Sequence, residues 1–132
     1  MSIKMLGAAI CATIVAGCAS VSDQLADQGF KKMKGAEIAA TLVGNSLDGA
    51  DKNGDYVIHY MTGSSMRISY RGRIEDGVWR VDGDKYCRKW ATFGGGKERC
   101  VTFFRKGDAI NWVRNGKITD RSVVVAGNPA AL

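Results

Sequence analysis

The sequence predicts a mainly β domain, a small antiparallel barrel or sandwich, with one short helix near its N-terminal end. After residue 44, short runs of β-branched and aromatic residues alternate with clusters of Gly, Asp and Asn, which is typical of strands joined by tight turns. A length of 132 residues with 17 Gly and one Pro suits one domain rather than two. A meander of seven or eight such strands must curl to bury one face and to protect its edges.

The helix is predicted over about residues 35–42. Ala and Glu in this stretch favour helix, Ile38 and Leu42 stand one turn apart, and Gly44 suits the end. The strands are predicted, in order, at 56–61, 66–71, 78–81, 85–90, 98–105, 109–114 and 117–125. Turn signals separate them, among them Asp76-Gly77, Asp82-Gly83-Asp84 and Asn115-Gly116.

Alternation along the strands predicts the core. It places Met66 and Ile68 on one face of their strand and Arg67 and Arg71 on the other. In the strand 56–61 both faces are apolar, so alternation leaves its inward face open. We expect the core to contain Leu47, Ile58, Met66, Ile68, Tyr70, Trp79, Val81, Trp90, Val101, Phe103, Ile110 and Trp112.

Residues 1–17 have the layout of a secretory signal. A lone basic residue, Lys4, precedes an apolar run from Met5 to Val15, and this run is too short to span a bilayer as a helix. We therefore divide the chain into a signal peptide at 1–17, a tether at 18–34 and a single β domain at 35–132.

The apolar run ends in Val15-Ala16-Gly17-Cys18, which resembles the signal of bacterial lipoproteins. The resemblance implies cleavage before Cys18, a thioether-linked lipid on its sulfur and an acyl chain on its new amino group. Several acyl chains on one residue would hold the domain to a bilayer. Ala19 and Ser20 follow in place of the Asp that marks inner-membrane retention, which favours the outer membrane on its periplasmic side. An ordinary cleaved signal is the alternative.

The charge distribution indicates an anionic partner for the C-terminal part of the domain. Without Lys4 the chain has 18 Lys and Arg against 13 Asp and Glu, and residues 66–132 hold 14 of the basic residues but only seven of the acidic ones. An exported protein seldom meets nucleic acid, so we expect an anionic lipid, a glycan or an acidic envelope protein. A basic surface that only keeps the domain soluble is the alternative.

Cys87 and Cys100 are predicted to form a disulfide. They lie 13 residues apart on two predicted strands, and two cysteines in a small exported domain usually pair. The pair lacks the C-x-x-C spacing of redox enzymes. Together with His59, the only histidine, it cannot complete a tetrahedral zinc site. We therefore predict neither a metal nor a cofactor.

Several motifs in the domain are similar to those of small exported proteobacterial domains of unknown function. They are Gly77-Val78-Trp79, Tyr86-Cys87-x-x-Trp90, the second cysteine Cys100 and the late Gly127-Asn128-Pro129. The resemblance implies a small β-barrel, a calycin-like meander, in the cell envelope. It implies no activity and no catalytic residue.

No pattern of catalytic residues stands out. His59 lies mid-strand, and no G-x-S-x-G motif accompanies it as a source of a nucleophile. The acidic stretch 48–55 departs from the EF-hand pattern, since Tyr56 and Thr62 occupy the positions of its Gly and Glu, and a turn explains it as well. Gly94-Gly95-Gly96-Lys97 lacks the spacing of a phosphate-binding loop. We therefore predict that the protein is not an enzyme.

The sequence feature that most favours a binding role is a set of arginines interleaved with aromatic residues. Arg67, Arg71, Arg80 and Arg88 are the candidates for gripping an anionic or glycan group. Strand alternation produces the same interleaving without a ligand. We expect a lipid-anchored envelope module with a binding or structural role. The alternative is an inhibitor or immunity-type lipoprotein that blocks an envelope hydrolase through the loops 48–55 or 91–97.

Overall fold

A computed structural model describes residues 17–132, so most of the predicted signal peptide lies outside the described residues. It confirms the predicted fold class, with a closed antiparallel barrel as the main feature. The elements are α1 (Val21–Asp27), β1 (Lys31–Lys32), α2 (Gly35–Leu42), β2 (Ser46–Asp51), β3 (Gly54–Tyr60), β4 (Ser65–Tyr70), β5 (Arg73–Asp82), β6 (Lys85–Trp90), β7 (Arg99–Lys106), β8 (Ala109–Arg114) and β9 (Lys117–Val125). Within residues 17–132, neither helix is long and apolar enough to cross a membrane.

The barrel is an eight-stranded meander. Each strand from β2 to β9 pairs with its neighbour in the chain, and β9 returns to pair with β2, with Ser46 opposite Val125 and Asp51 opposite Asp120. The short β1 joins the outer part of β7 beyond the point where β6 ends. Closure leaves no long sheet edge exposed, which decides between the barrel and the sandwich.

Two predicted turns prove to be strand. The stretch 48–55 was expected as a loop, but residues 46–51 form β2, and Gly49 lies so close to Ser122 and the Arg121 carbonyl that only Gly fits. The Asp76-Gly77 turn was also wrong, because both residues lie inside β5. Gly77 has a packing role there: a Cβ atom on it would stand 2.5 Å from Trp90 Cε3.

The two ends of the barrel differ. Helix α2 has the predicted bounds and covers one end, the closed end, where Ile38 and Leu42 are buried in the main core. Gly35 N at the start of this helix donates a hydrogen bond of 3.0 Å to Asp84 Oδ1 in the β5–β6 turn. The opposite end, the open end, is formed by the turns 52–53, 71–72 and 115–116 and by the loop 91–98.

Aromatic side chains fill the middle of the barrel. Tyr86 stacks on Phe103 with ring centroids 4.7 Å apart and meets Trp112 edge-on at 5.5 Å. Its hydroxyl lies 2.8 Å from the hydroxyl of Tyr60, and burial raises the pKa of both phenols far above the ordinary value. The expected core residues are buried or packed against the core, and β3 turns Tyr56, Ile58 and Tyr60 inward.

The segment 18–34, predicted as a tether, carries α1 and β1. Ser20 caps α1 by accepting a hydrogen bond of 3.1 Å from Asp23 N. Leu25 packs against Phe104 and Val113 on the outer wall, and Met33 enters the main core. Much of this segment therefore lies against the barrel.

Cys87 and Cys100 lie directly opposite each other on β6 and β7, at bonding distance. We predict that replacing both with alanine lowers the free energy of unfolding by about 3 kcal/mol, because the bridge joins residues 13 apart in sequence and so restricts the unfolded chain. Urea unfolding of the wild type and of the Cys87→Ala/Cys100→Ala variant measures the difference. Addition of reductant should weaken the wild type and leave the variant unchanged. Equal stability of the two proteins would contradict the prediction.

Candidate functional site

A cavity of about 480 Å³ enters the barrel from the open end. Its size lies within the range of small-molecule sites. All eight barrel strands contribute to its wall, together with the turns and the loop at the open end. The lining residues are Asp51, Asn53, Tyr56, Ile58, Ile68, Tyr70, Arg71, Arg73, Arg88, Trp90, Phe93, Gly94, Arg99, Trp112 and Asp120.

The cavity exists because inward positions near the open end hold charged side chains. Toward the closed end the inward residues are apolar and aromatic, and they pack against each other and against α2. At the open end the inward positions include Arg88, Arg99 and Asp120. Ionised groups are costly to bury without partners, so Arg99 stays exposed and Arg88 half-buried beside a space that water or a ligand can enter.

Glu75 fixes the loop that forms one wall of the cavity. Its buried carboxylate accepts hydrogen bonds from Thr92 N at 2.9 Å, from Phe93 N at 3.0 Å and from the Thr92 hydroxyl, and it pairs with Arg73 at 2.9 Å. Burial alone would raise the pKa of this carboxyl, but the hydrogen bonds and Arg73 outweigh it and lower the pKa. Phe93 is thereby held edge-on to Tyr70, with ring centroids 5.3 Å apart.

Asp51 has a structural role at the rim. It accepts hydrogen bonds from Tyr70 Oη at 2.9 Å, from Asn53 N at 2.7 Å and from Gly54 N at 3.1 Å. Partial burial and this carboxylate raise the pKa of the Tyr70 phenol. The carboxylate therefore stabilises the β2–β3 turn and has little capacity left for a ligand.

Arg88 and Tyr56 present polar atoms without partners. The guanidinium of Arg88 lies over Trp112, with Cζ 5.6 Å from the ring centroid, and its buried Nε has no hydrogen-bond partner within residues 17–132. The Tyr56 hydroxyl, on a side chain 5% exposed, is likewise unpartnered there. Trp79 Nε1, away from the cavity, is unpartnered as well. Buried donors are normally satisfied by protein or by water, so a water or a ligand group belongs beside Arg88 and Tyr56.

Asp120 lies beside these donors. It is 6% exposed, and burial raises the pKa of its carboxyl against the opposing effects of Thr119, Arg88 and Tyr56. Arg88 forms no ion pair with this carboxylate within residues 17–132. Tyr56 lies close enough to Asp120 that burial and this carboxylate together raise the pKa of the Tyr56 phenol.

The structure separates the four predicted binding arginines. Arg71 and Arg88 line the cavity. Arg67 and Arg80 lie on the outer wall, where they pair with Asp76 at 2.7 Å and with Glu98 at 2.6 Å. Arg99 and Tyr56 also line the cavity and were not among the predicted binding residues. Arg99 shares the face of Val101 and Phe103, so strand alternation is a signal that could have found it.

The other chemistry-bearing residues are taken up by structural contacts. Ser46 Oγ lies 3.2 Å from His59 Nδ1, but it donates its proton to Gly127 O at 2.7 Å, so the histidine does not activate it. Within the described part of the chain, Cys87, Glu98 and Cys100 lie close enough together to hold a metal ion, but the two cysteines are joined in a disulfide and offer no thiolate.

No known protein family, curated protein or solved structure matches this chain.

We predict that Glu75→Gln loosens the loop 91–98 and lowers the free energy of unfolding at pH 7 by about 1–3 kcal/mol, because charge-assisted hydrogen bonds are lost. The folded state lowers the pKa of Glu75, so its contribution is present above the pKa of the unfolded chain and is lost as pH falls through the folded value. Urea unfolding between pH 7 and 3 should show a smaller pH dependence for this variant than for the wild type.

The matched control is Asp76→Asn, which removes a neighbouring, exposed carboxylate on the outer face of β5. Because exposed ion pairs contribute about 0–1 kcal/mol, it should change stability little. Parallel pH profiles for the wild type and the Glu75→Gln variant would contradict the role of Glu75.

Proposed function

We propose that the protein is a lipid-anchored module of the cell envelope that binds a small ligand in the cavity at the open end of its barrel. The observation that carries the proposal is a ligand-sized cavity into which buried donors of Arg88 and Tyr56 point without partners. An unsatisfied buried donor costs about 1–3 kcal/mol, and a ligand that accepts its hydrogen bond recovers this energy.

The anchor in this proposal is Cys18. The cysteine is exposed and precedes the α1 segment, which is packed on the outer wall of the barrel. Its sequence context resembles the lipoprotein signal, so acyl chains on Cys18 would hold the barrel close to a bilayer. Ala19 and Ser20 favour the outer membrane, with the domain in the periplasm.

Binding without catalysis suits the composition of the cavity wall. Among the described residues, the lining includes no Ser, Cys, His or Lys, Asp51 is occupied by the turn, and Asp120 has no such nucleophile beside it that it could deprotonate. The loop 91–97 offers less support to the alternative of a hydrolase inhibitor. Phe93 faces the cavity, and Gly94, Gly95 and Gly96 leave this part of the loop without side chains to insert into a cleft.

Native mass spectrometry tests the proposal on the full-length chain, made in a Gram-negative host and extracted from its membranes in mild detergent. We expect a mass for residues 18–132 plus acyl chains, with a non-protein adduct that is lost on unfolding. Cys18→Ser should abolish acylation. An unacylated wild-type chain would contradict the anchor.

A pair of variants tests the cavity in the same experiment. Ile68→Phe adds volume inside the cavity and should remove the adduct, whereas Ile74→Phe adds it on the outer face of β5, where Ile74 is 64% exposed, and should not. An adduct that survives both changes, or that the wild type lacks, would contradict binding in the cavity.

A further inference from the structure

Two arginines lie opposite each other at the mouth of the cavity, where Arg88 is half-buried and Arg99 is exposed. Arg88 on β6 lies directly opposite Arg99 on β7, and both line the cavity. Like charges directly opposite each other destabilise a sheet. The outer wall shows the ordinary arrangement, since Arg67 on β4 is opposite Asp76 on β5 and pairs with it.

The Asp120 carboxylate lies near enough to Arg88 for their charges to interact, but it does not form an ion pair with this guanidinium. Neither Arg88 nor Arg99 forms an ion pair within residues 17–132. Arg73, by contrast, is paired with Glu75, and the Asp51 carboxylate is held by the rim. The arginine pair therefore keeps hydrogen-bonding capacity for a ligand, although Arg88 also lies over Trp112 and near Asp120.

The surroundings of the pair strengthen its positive potential. A neighbouring depression shares Arg88 and Arg99, and its charged lining residues are five basic ones against two acidic ones: Lys52, Arg88, Arg99, Arg114 and Lys117 against Asp51 and Asp120. A cleft with an excess of one sign of charge concentrates ions of the opposite sign. The excess of basic residues at the open end therefore favours anions over cations.

The rest of the cavity wall is apolar and aromatic. Trp90, Phe93 and Trp112 line it together with Ile58 and Ile68. Such a wall gains free energy by covering apolar surface, which an inorganic ion alone does not offer. A ligand that satisfies the whole cavity needs both an acidic group and an apolar body.

We propose that Arg88 and Arg99 seat one oxyanion, a carboxylate or a phosphate group, carried on an apolar body that lies against Trp90, Phe93 and Trp112. Guanidinium groups match the geometry of such oxyanions, and two of them can share one. The unpartnered hydroxyl of Tyr56 supplies a further donor. This inference rests on the proposed binding function and names the chemical class of its ligand.

The test uses the mature lipidated chain in nanodiscs of phosphatidylcholine, with isothermal titration calorimetry as the readout. The probes are phenyl phosphate, inorganic phosphate and benzyl alcohol, which separate the oxyanion from the apolar body. We expect phenyl phosphate to bind most tightly, and its Kd to rise at least about tenfold in Arg88→Gln and in Arg99→Gln. Arg67→Gln removes the same charge from the outer wall and should leave the Kd unchanged.

A stability measurement shows that the variants are folded and tests the like-charge contact independently. Without added oxyanion and at low salt, Arg99→Gln should raise the Tm, because it removes the repulsion. Phenyl phosphate should raise the Tm of the wild type more than that of this variant. A Tm of Arg99→Gln below that of the wild type without oxyanion would contradict the repulsive contact.

Nanodiscs that contain phosphatidic acid identify the source of the oxyanion. If it is a lipid headgroup, these nanodiscs should compete with phenyl phosphate for the wild type. If it is a soluble acid, the Kd of phenyl phosphate should be the same with and without phosphatidic acid in the nanodiscs. Either result is consistent with an oxyanion site at Arg88 and Arg99. If inorganic phosphate binds as tightly as phenyl phosphate, the ligand needs no apolar body and that part of the proposal is wrong. If Arg67→Gln and Arg88→Gln weaken phenyl phosphate binding equally, Arg88 and Arg99 do not form a specific oxyanion site.

The inference and the proposed function fail separately. An adduct in native mass spectrometry that Ile68→Phe removes, with no oxyanion bound to Arg88 and Arg99, would overturn the inference and leave the proposed function standing. Absence of both the adduct and oxyanion binding would overturn the two together.

Discussion

Closing eight strands into a barrel creates an interior that side chains can only just fill, and the rest of this structure depends on how the chain fills it. Near the closed end the interior holds Tyr60, Tyr86 and Phe103, with α2 packed across the end. Near the open end, charged groups occupy inward positions and cannot pack to the same density without partners. One architecture therefore yields a half that is packed with side chains and a half that keeps a cavity.

The cavity wall is secured from two sides. The loop 91–98 connects β6 to β7, and the disulfide ties these strands together just beside it. Glu75 holds the beginning of the loop through the backbone of Thr92 and Phe93. Both contacts lie outside the unsatisfied part of the cavity, so they can fix its shape without using the donors of Arg88.

Much of the fold could be predicted from local patterns. The helix 35–42 and the strands 85–90, 109–114 and 117–125 have the expected bounds, because propensity, periodicity and turn residues agree there. The misses arise where tertiary packing overrides a local signal. Gly77 reads as a turn residue but accommodates Trp90, and Gly49 weakens the strand signal of β2 yet permits close approach of β9.

The site was harder to predict than the fold. Arg71 was assigned to the face of Arg67, but it lies in the β4–β5 turn with φ at 51° and thereby reaches the cavity. Arg88 shares the inward face of Tyr86 and Trp90, which alternation alone could have shown. The opposition of Arg88 and Arg99 depends on the register between β6 and β7, and no local pattern in either strand encodes it.

The most direct measurement is a crystal structure of the lipidated protein purified from its own membranes, at a resolution that shows the atoms around Arg88. The account predicts a non-protein oxyanion bonded to the guanidinium groups of Arg88 and Arg99, with its body beside Trp112. A cavity closed by a direct ion pair between Arg88 and Asp120, with no space for a ligand, would contradict it.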